Sequence, residues 1–313
     1  MALRMGQVMA QRDPRLVEWL SEQLGWPTSE ATVDRIGEGH SREMLIVRPA
    51  HARPVVVRIE QDGVFGTTGA EECRVMTGLQ ARGLPLARIL AIDDGTVFKR
   101  PLFVMEFIEG TSGPFPVNDF VDSLQALHHL EVDKDVAALF DRQPETAAEA
   151  TLGQIDRWYE VYRESSTTPI AVLETAWEWL KRYVPSDGRL GVVHGDAGPG
   201  NVVHDGRQVL AFTDFEFAHL GDPREDWSFC AAIRGARTLG RDEWSAVIEA
   251  RTGVQFDDQM WRYWEAFNLF KGACANLTCR HLYATGRNPA PNMAIIGTAI
   301  HRVFARRLST LVA

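Results

Sequence analysis

The sequence predicts an α+β fold of two lobes, a small β-rich N-terminal lobe and a larger, mainly helical C-terminal lobe. The first observation behind this is the order of patterns before residue 110: three strands, a helix and two strands. The second is that apolar residues at helical spacing dominate after residue 116. The third is length, because 313 residues exceed one typical domain and suit two lobes that share a cleft.

The predicted N-terminal elements begin with a helix that starts at Asp13 and Pro14, a typical N-cap and first helical residue, and ends at Gly25. Three strands follow, with the sequences TVDRI, MLIV and PVVVRI. Residues 70–82 have helical character and stop at Gly83. Two more strands, ARILAID and PLFVMEF, flank a turn at Gly95. These elements make up a β-rich block with one internal helix.

The lobe boundary is predicted where the chain becomes rich in Gly, Pro and Ser, between Gly110 and Pro116. Residues 1–109 then form the N-terminal lobe and residues 110–313 the C-terminal lobe. Predicted helices cover residues 118–130, a long stretch over 151–183, and most of the chain from 243. The exception is the segment 191–214, which contains two short apolar strands, VVH and VLAFTD.

Composition excludes several classes of protein. A net charge of −9 argues against a general nucleic-acid binder, which needs concentrated Lys and Arg. No apolar run approaches the length of a bilayer span, and the N-terminus lacks the apolar core of a secretory signal, so we expect a cytoplasmic protein without a membrane segment. The four cysteines are scattered, which favours reduced thiols over a zinc site or disulfides.

Polar side chains lie at the ends of the two strands predicted within 191–214. They are His194, Asp196, Asn201 and Asp214. Two carboxylates and an amide at such positions can orient a hydroxyl group and bind a hard divalent cation through oxygen. This combination points to phosphoryl transfer, with Asp196 on the hydroxyl and Asn201 on Mg²⁺.

Two features of the N-terminal block are ambiguous when taken alone. Gly37 and Gly39 lie between two strands and could let backbone N–H groups approach phosphates, or could form a plain hairpin turn. Arg58 lies within an apolar strand, where it could point into the cleft and pair with Glu71 or Glu72, or face solvent on an edge strand. Neither a Rossmann fingerprint nor a P-loop is present.

Several other residues have structural interpretations. His194 is expected to brace its loop, and Asp222 and Asp226 to cap a helix or brace a loop. The adjacent residues His128 and His129 read as a packed helical pair with no metal. Five aromatic residues at helical spacing are expected in the core, where one or two could line a pocket: Trp261, Tyr263, Trp264, Phe267 and Phe270.

The motif HGDAGPGN followed by TDFEFAHLGDP resembles the aminoglycoside phosphotransferase and choline-kinase-like superfamily, which shares the protein-kinase fold. The resemblance implies that Asp196 is the catalytic aspartate, and that Asn201 and Asp214 hold Mg²⁺ on the phosphates of ATP. It also implies that Asp226 braces the catalytic loop from a following helix. The stretches TLGQIDRWYEVY, TAWEWLKRYVP and GDPRED look most like the branch fused to acyl-CoA dehydrogenases.

The resemblance extends across nearly the whole chain. IGEGHS is similar to the loop that covers the nucleotide, which implies roles for Gly37, Gly39 and Ser41. ECRVMTGL resembles the helix that carries the ion-pair glutamate, here Glu72, and LFVMEFIEG resembles the hinge between the lobes. In kinases of this type the hinge backbone from Glu106 to Ile108 would receive the adenine.

The sequence departs from the family pattern in two places. Arg58 stands where the family usually has a lysine that contacts phosphates, and the two are not interchangeable in geometry. The metal-binding loop reads DFE, which leaves Glu216 as a residue that could bind metal, bind substrate or brace the loop. Arg58, together with Arg42 in place of a third glycine after Gly37 and Gly39, motivates the alternative of a regulatory pseudokinase.

The leading hypothesis is an ATP- and Mg²⁺-dependent phosphotransferase that acts on a hydroxyl group of a small molecule, either an aminoglycoside or a hydroxylated metabolite or acyl compound. The sequence does not distinguish ATP from GTP as donor, and it gives neither the acceptor nor the oligomeric state.

Overall fold

The computed structural model describes residues 15–27, 30–36, 42–60, 68–111 and 114–313. The N-terminal part is built on one five-stranded antiparallel sheet in the order β1-β2-β3-β5-β4. The strands are β1 (Ala31–Ile36), β2 (Arg42–Pro49), β3 (Val55–Glu60), β4 (Ile89–Asp93) and β5 (Leu102–Glu106). The predicted β-rich N-terminal lobe is therefore confirmed.

A helix packs on each face of this sheet. Helix α1 (Arg15–Leu24) buries Leu16 and Leu20 against one face. Helix α2 (Gly69–Ala81) packs on the other, and it begins with a capping box in which Thr68 and Glu71 satisfy each other's backbone N–H groups. Because strand side chains alternate, β3 directs Val57 towards α1 and Arg58 towards α2.

The C-terminal part is mostly helical, and its longest helix, α9, lies at the centre of one hydrophobic cluster. Its helices are α3 (Val117–His128), α4 (Lys134–Ala137), α5 (Ala147–Ser165), α6 (Ala171–Arg182), α7 (Arg224–Phe229), α8 (Arg241–Thr252), α9 (Asp258–Ala284), α10 (Pro291–Ile295) and α11 (His301–Leu311). π-Helical turns follow α7 at 230–234 and α10 at 296–300. All five aromatic residues of α9 predicted for the core are buried, which confirms that prediction.

Four short strands interrupt the helices. They are β6 (Gly191–Val193), β7 (Val202–His204), β8 (Val209–Phe212) and β9 (His219–Gly221). The two predicted strands are β6 and β8, but they do not pair with each other: β6 pairs with β9 and β8 with β7. The two partner strands, of three residues each, were not predicted.

The long helical stretch predicted over 151–183 is divided into α5 and α6. The break spans residues 166–170, where Pro169 lacks the N–H group that would continue a helix. The helices predicted near residues 13–25, 70–82 and 118–130 agree to within a few residues, and the helical stretch predicted from residue 243 is divided into α8, α9, α10 and α11. Gly25 and Gly83 follow α1 and α2 with positive φ, as expected of residues that end helices.

Among the helices that the structure describes, none combines the length and the apolar character needed to cross a bilayer. All four cysteines are buried and free.

Candidate active site

The loop that follows β6 is held from beneath by Asp226 of α7. Asp226 is fully buried, and its carboxylate accepts hydrogen bonds from the backbone N–H groups of His194 (2.7 Å) and Gly195 (2.9 Å). The Nε2 of His128 lies 2.9 Å from the same carboxylate. Three groups from two distant elements therefore converge on one side chain, and the start of the loop is fixed.

The ionised form of Asp226 is strongly favoured. Burial alone would raise its pKa, but the hydrogen bond and charge of His128, with the contacts from His194, lower it to about 2. His128 was expected to be a simple packed residue, and its contact with Asp226 is invisible in the sequence because 98 residues separate the two.

Asp196 lies at the centre of this loop and has two side-chain partners. The Nδ2 of Asn201 donates to its Oδ2 over 2.6 Å, and also to its backbone carbonyl over 2.9 Å. Arg234 forks onto both carboxylate oxygens, with Nε 3.0 Å from Oδ1 and Nη2 on Oδ2. Although burial opposes it, the charge of Asp196 raises the pKa of Arg234 above its usual value. Asp196 is thus held as an oriented carboxylate.

Arg234 is the site residue that sequence reasoning missed. It lies on the π-helical turn after α7, and the catalytic loop wraps around it. A Cβ on Gly198 would collide with the Cβ of Arg234, and one on Gly200 would lie 3.5 Å from its Nη1. Gly198 therefore makes room for this arginine, and it was the available signal that another element approaches closely.

Asn201 and Asp214 lie at the same end of the β7–β8 hairpin. The N–H of Thr213 donates to the carbonyl of Asn201 over 3.0 Å, which joins the two loops. The amide of Asn201 uses its nitrogen on Asp196, so its Oδ1 is available as a ligand. Asp214 has a positive φ of 68°, a conformation that non-glycine residues rarely adopt outside functional sites.

An amide oxygen and a carboxylate suit Mg²⁺, which typically takes one or two protein ligands and completes its octahedron with phosphate and water. The described residues contain no cluster of three or more His, Cys, Asp or Glu side chains that could hold a metal alone. Asn201 and Asp214 therefore fit a metal that binds together with a phosphorylated ligand.

Arg58 joins the two lobes. Its Nη1 donates to Glu72 of α2 over 2.8 Å and its Nη2 to Asp214 over 2.7 Å. Burial would raise the pKa of Asp214, but the charge and hydrogen bond of Arg58 outweigh it and lower that pKa. The alternative of a solvent-facing Arg58 on an edge strand is wrong, because β3 lies at the centre of the sheet and Arg58 is 3% exposed.

Glu72 also pairs with Arg42, and Arg42 reaches Glu216 with its Nε 4.0 Å from the carboxylate. Burial and the neighbouring Arg58 lower the pKa of Arg42, while the charges of Glu216 and Asp214 oppose that shift. Glu71, the other candidate partner of Arg58, instead caps α2. Two arginines and three acidic residues thus form one buried network at the lobe boundary.

Lys271 of α9 supports the catalytic loop from the opposite side to Arg234. Its buried Nζ donates to the carbonyl of Gly195 over 2.7 Å and to Glu225 over 2.6 Å. Glu225 also lies 3.3 Å from Nε2 of His219. Burial would raise the pKa of Glu225, but the charges of Lys271 and His219 lower it.

Of the remaining predicted residues, Gly37, Gly39 and Ser41 lie outside the described residues. Glu106 ends β5, where its Oε1 accepts from the N–H of Arg88 over 3.0 Å, and Ile108 follows it towards α3. Asp222 braces the segment before α7 by accepting from the backbone and side chain of Arg224, as its structural interpretation implies.

This chain is similar to a known protein family and to individual proteins. A family model described as "Phosphotransferase enzyme family" matches residues 32–267. Acyl-CoA dehydrogenase family member 10 of Mus musculus is 24% identical over 305 residues, an alignment that covers 85% of this chain and 28% of that protein. This chain therefore spans less than a third of the length of that relative.

Solved structures share the fold. A proposed aminoglycoside phosphotransferase from Ralstonia eutropha JMP134 has a TM-score of 0.69 and 21% identity, covering 95% of this chain and 97% of its own. The choline kinase LicA from Streptococcus pneumoniae has a TM-score of 0.67 and 13% identity, and the match covers 95% of this chain and 98% of its own. A streptomycin–ATP–APH(2″)-IIa ternary complex has a TM-score of 0.60 and 14% identity, and the match covers 92% of this chain and 95% of its own.

Proposed function

This chain belongs to the phosphotransferase enzyme family, and we propose that it is a small-molecule kinase that transfers the γ-phosphate of ATP to a hydroxyl group with the help of Mg²⁺. The observation that carries the proposal is the linked set Asp196–Asn201–Thr213–Asp214, in which hydrogen bonds join one carboxylate for an acceptor to one carboxylate for a metal. A nucleotide-binding protein without catalysis would not need the carboxylate for an acceptor.

In this proposal Asp196 accepts a hydrogen bond from the acceptor hydroxyl and orients its oxygen towards the phosphorus. Asn201 and Asp214 hold Mg²⁺, which when bound neutralises charge on the transferred phosphoryl group. Asp226, His194 and Lys271 touch neither substrate; they fix the loop so that Asp196 does not move during transfer.

The nucleotide would lie between the lobes. Arg58 replaces the usual lysine, keeps the positive charge and is held against Asp214 and Glu72. The adenine would contact the backbone from Glu106 to Ile108, and the phosphates would lie under the loop that carries Gly37, Gly39 and Ser41. ATP is preferred over GTP as donor because a similar fold has been solved with ATP bound.

The acceptor is proposed to be a hydroxylated metabolite or acyl compound that is neutral or anionic near its hydroxyl group. The reason is Arg234, whose side chain is 40% exposed next to Asp196. A guanidinium at this point repels a polycationic acceptor at close range. The match to a protein named as an acyl-CoA dehydrogenase family member agrees with such a metabolite, although this chain covers 28% of it.

The test measures ADP formation against a panel of neutral, anionic and cationic hydroxyl compounds, with wild type and Asp196→Ala. We expect turnover to fall about 10²–10⁴-fold in the variant while ATP still binds. The matched control is Asp242→Ala, whose side chain is 97% exposed. Equal turnover in Asp196→Ala and wild type would reject the assignment, and ATP binding without turnover of any acceptor would favour the pseudokinase.

A further inference from the structure

A cavity of about 520 Å³ lies behind α2, on the side of that helix away from Arg58. It is enclosed by α2, by the segment 139–144, by the first turns of α5 and by β9, so both lobes contribute to it. Its charged and amide side chains are Glu71, Arg74, Asp141, Arg142, Gln143, Glu149, Gln154, Arg157 and His219. The volume suits a small organic molecule.

Arg157 of α5 lines this cavity with an unmatched charge. It makes no ion pair or hydrogen bond with any residue that the structure describes, and its guanidinium lies 5.7 Å from the ring of Trp158. Burial and the charge of Arg142 lower its pKa, with a partial compensation from Glu71. A half-buried guanidinium without a counterion is costly unless something pairs with it.

Arg142 is a second cation that forms no ion pair among the described residues, although its charge helps to lower the pKa of Asp156. Its Nη1 donates to the carbonyl of Gly153 over 3.1 Å, which fixes the side chain beside α5. Arg74 differs, because it pairs with Asp141 and donates to the carbonyl of Leu139. Among the three arginines of the lining, Arg142 and Arg157 are therefore the two that form no ion pair with a described residue.

The two remaining carboxylates of the cavity have other donors. Glu71 accepts from the backbone and hydroxyl of Thr68, and Glu149 accepts from the N–H of Glu145 over 2.8 Å. Both accept hydrogen bonds at the ends of helices and neither forms an ion pair with Arg142 or Arg157, although the charge of Glu71 partly offsets that of Arg157.

We propose that this cavity is a binding site for a small anion bearing a phosphate or carboxylate group, held by Arg142 and Arg157 with amide contacts from Gln143 and Gln154. Guanidinium groups match both kinds of oxyanion with paired hydrogen bonds. The bound anion would join α5 to the segment 139–144, beside the helix that carries Glu72.

A chain of side-chain contacts also links the cavity to the loop that follows β6. His219 forms part of its lining and contacts Glu225, which pairs with Lys271, which in turn donates to the carbonyl of Gly195. In addition, β9 pairs with β6, with Val193 opposite His219. An anion in this cavity would therefore lie one hydrogen-bonded chain away from Asp196.

The experiment is isothermal titration of the full chain with inorganic phosphate and, separately, with citrate. We expect at least one to bind, and Arg157→Gln and Arg142→Gln each to weaken that binding about tenfold or more, the loss of one charge-assisted hydrogen bond. Binding of phosphate alone or of citrate alone identifies the anion class. The unfolding midpoint of every variant is measured first. If one of the two arginine variants fails to fold, the other is used to test the site.

Two controls locate the site. Arg182→Gln removes an exposed arginine at the end of α6 and should leave affinity unchanged. Arg234→Gln removes the cation of the candidate active site and should also leave it unchanged. The proposal is wrong if neither anion binds, if Arg157→Gln and Arg142→Gln bind as wild type does, or if Arg234→Gln abolishes the binding. None of these outcomes depends on the chain being a kinase.

Discussion

The two carboxylates of the candidate site are each held by an arginine from a distant element, but the pairs have opposite orientations. In the nucleotide half, Arg58 is 3% exposed while Asp214 is 29% exposed. In the acceptor half, Arg234 is 40% exposed while Asp196 is 8% exposed. The carboxylate faces the cleft in one pair, and the cation faces it in the other.

This difference separates two tasks. A carboxylate that faces the cleft with its cation behind it is ready to bind a metal, and Arg58 keeps it ionised. A carboxylate that lies behind an exposed cation is accessible only to a group that enters beside the cation or displaces it. In the proposed function the half that binds the nucleotide would therefore be preorganised, whereas the half that binds the acceptor would discriminate by charge.

The largest effect is expected at Asp214. Asp214→Ala should reduce turnover by about 10³-fold or more and remove the Mg²⁺-dependent part of ATP affinity, because a bound metal contributes several kcal/mol to transition-state stabilisation. Asp196→Ala should leave the Mg²⁺-dependent part of ATP affinity unchanged. Titrating ATP with and without Mg²⁺ on both variants checks this, and identical Mg²⁺ dependence in the two would remove the distinction between the halves.

The next effect is expected at Arg58. Arg58→Gln should weaken ATP binding about 10- to 100-fold, because it removes hydrogen bonds to Asp214 and Glu72 that involve charged partners. Arg58→Lys should recover part of the loss, since lysine keeps the charge but not the planar fork. ATP affinities of the two variants are compared with Arg182→Gln; equal affinities in all three would contradict a contact with the nucleotide.

Asp226 affects stability rather than chemistry. Its pKa is about 2 when folded and is taken as 3.8 when unfolded, so its stabilisation is present above pH 4 and is lost as pH falls towards 2. By linkage the contribution is about 2 kcal/mol. Urea unfolding at pH 6 and pH 3 should show a smaller pH dependence in Asp226→Asn than in wild type, and an unchanged dependence would show that another group is responsible.

Arg234 should affect the acceptor more than the nucleotide. We expect Arg234→Gln to reduce turnover of an anionic acceptor about tenfold, to leave ATP affinity within about twofold, and to improve the relative use of cationic acceptors. Arg234→Lys should retain the preference for anions. Steady-state kinetics with paired acceptors that differ only in charge measure this, and an unaltered preference in Arg234→Gln would refute a selective role.

The smallest effect is expected at Glu216. Its carboxylate lies beside Arg42, which favours a bracing role over metal binding. Glu216→Gln keeps the size and polarity of the side chain, so turnover should change less than about threefold and the Mg²⁺ concentration for half-maximal activity should not change. A large rise in that Mg²⁺ concentration would instead make Glu216 a third ligand.

Local patterns predicted most of the N-terminal sheet, α2 and the core face of α9, because each depends on residues near one another in sequence. The motif HGDAGPGN likewise brought Asp196 and Asn201 together within one loop. The short strands β7 and β9 were missed, since each is defined by pairing with a strand that is distant in sequence or across a turn, and α5 was joined to α6 although Pro169 lies between them.

The sequence by itself singled out most of the side chains to which the proposed function gives a role, and it indicated that Arg58 would need a partner. Only the tertiary structure decided which partners the charges have: Arg58 with Asp214, Arg234 with Asp196, and His128 with Asp226. These contacts join residues 156, 38 and 98 positions apart. Such pairings depend on how helices and strands pack around one core, and no local spacing encodes that packing.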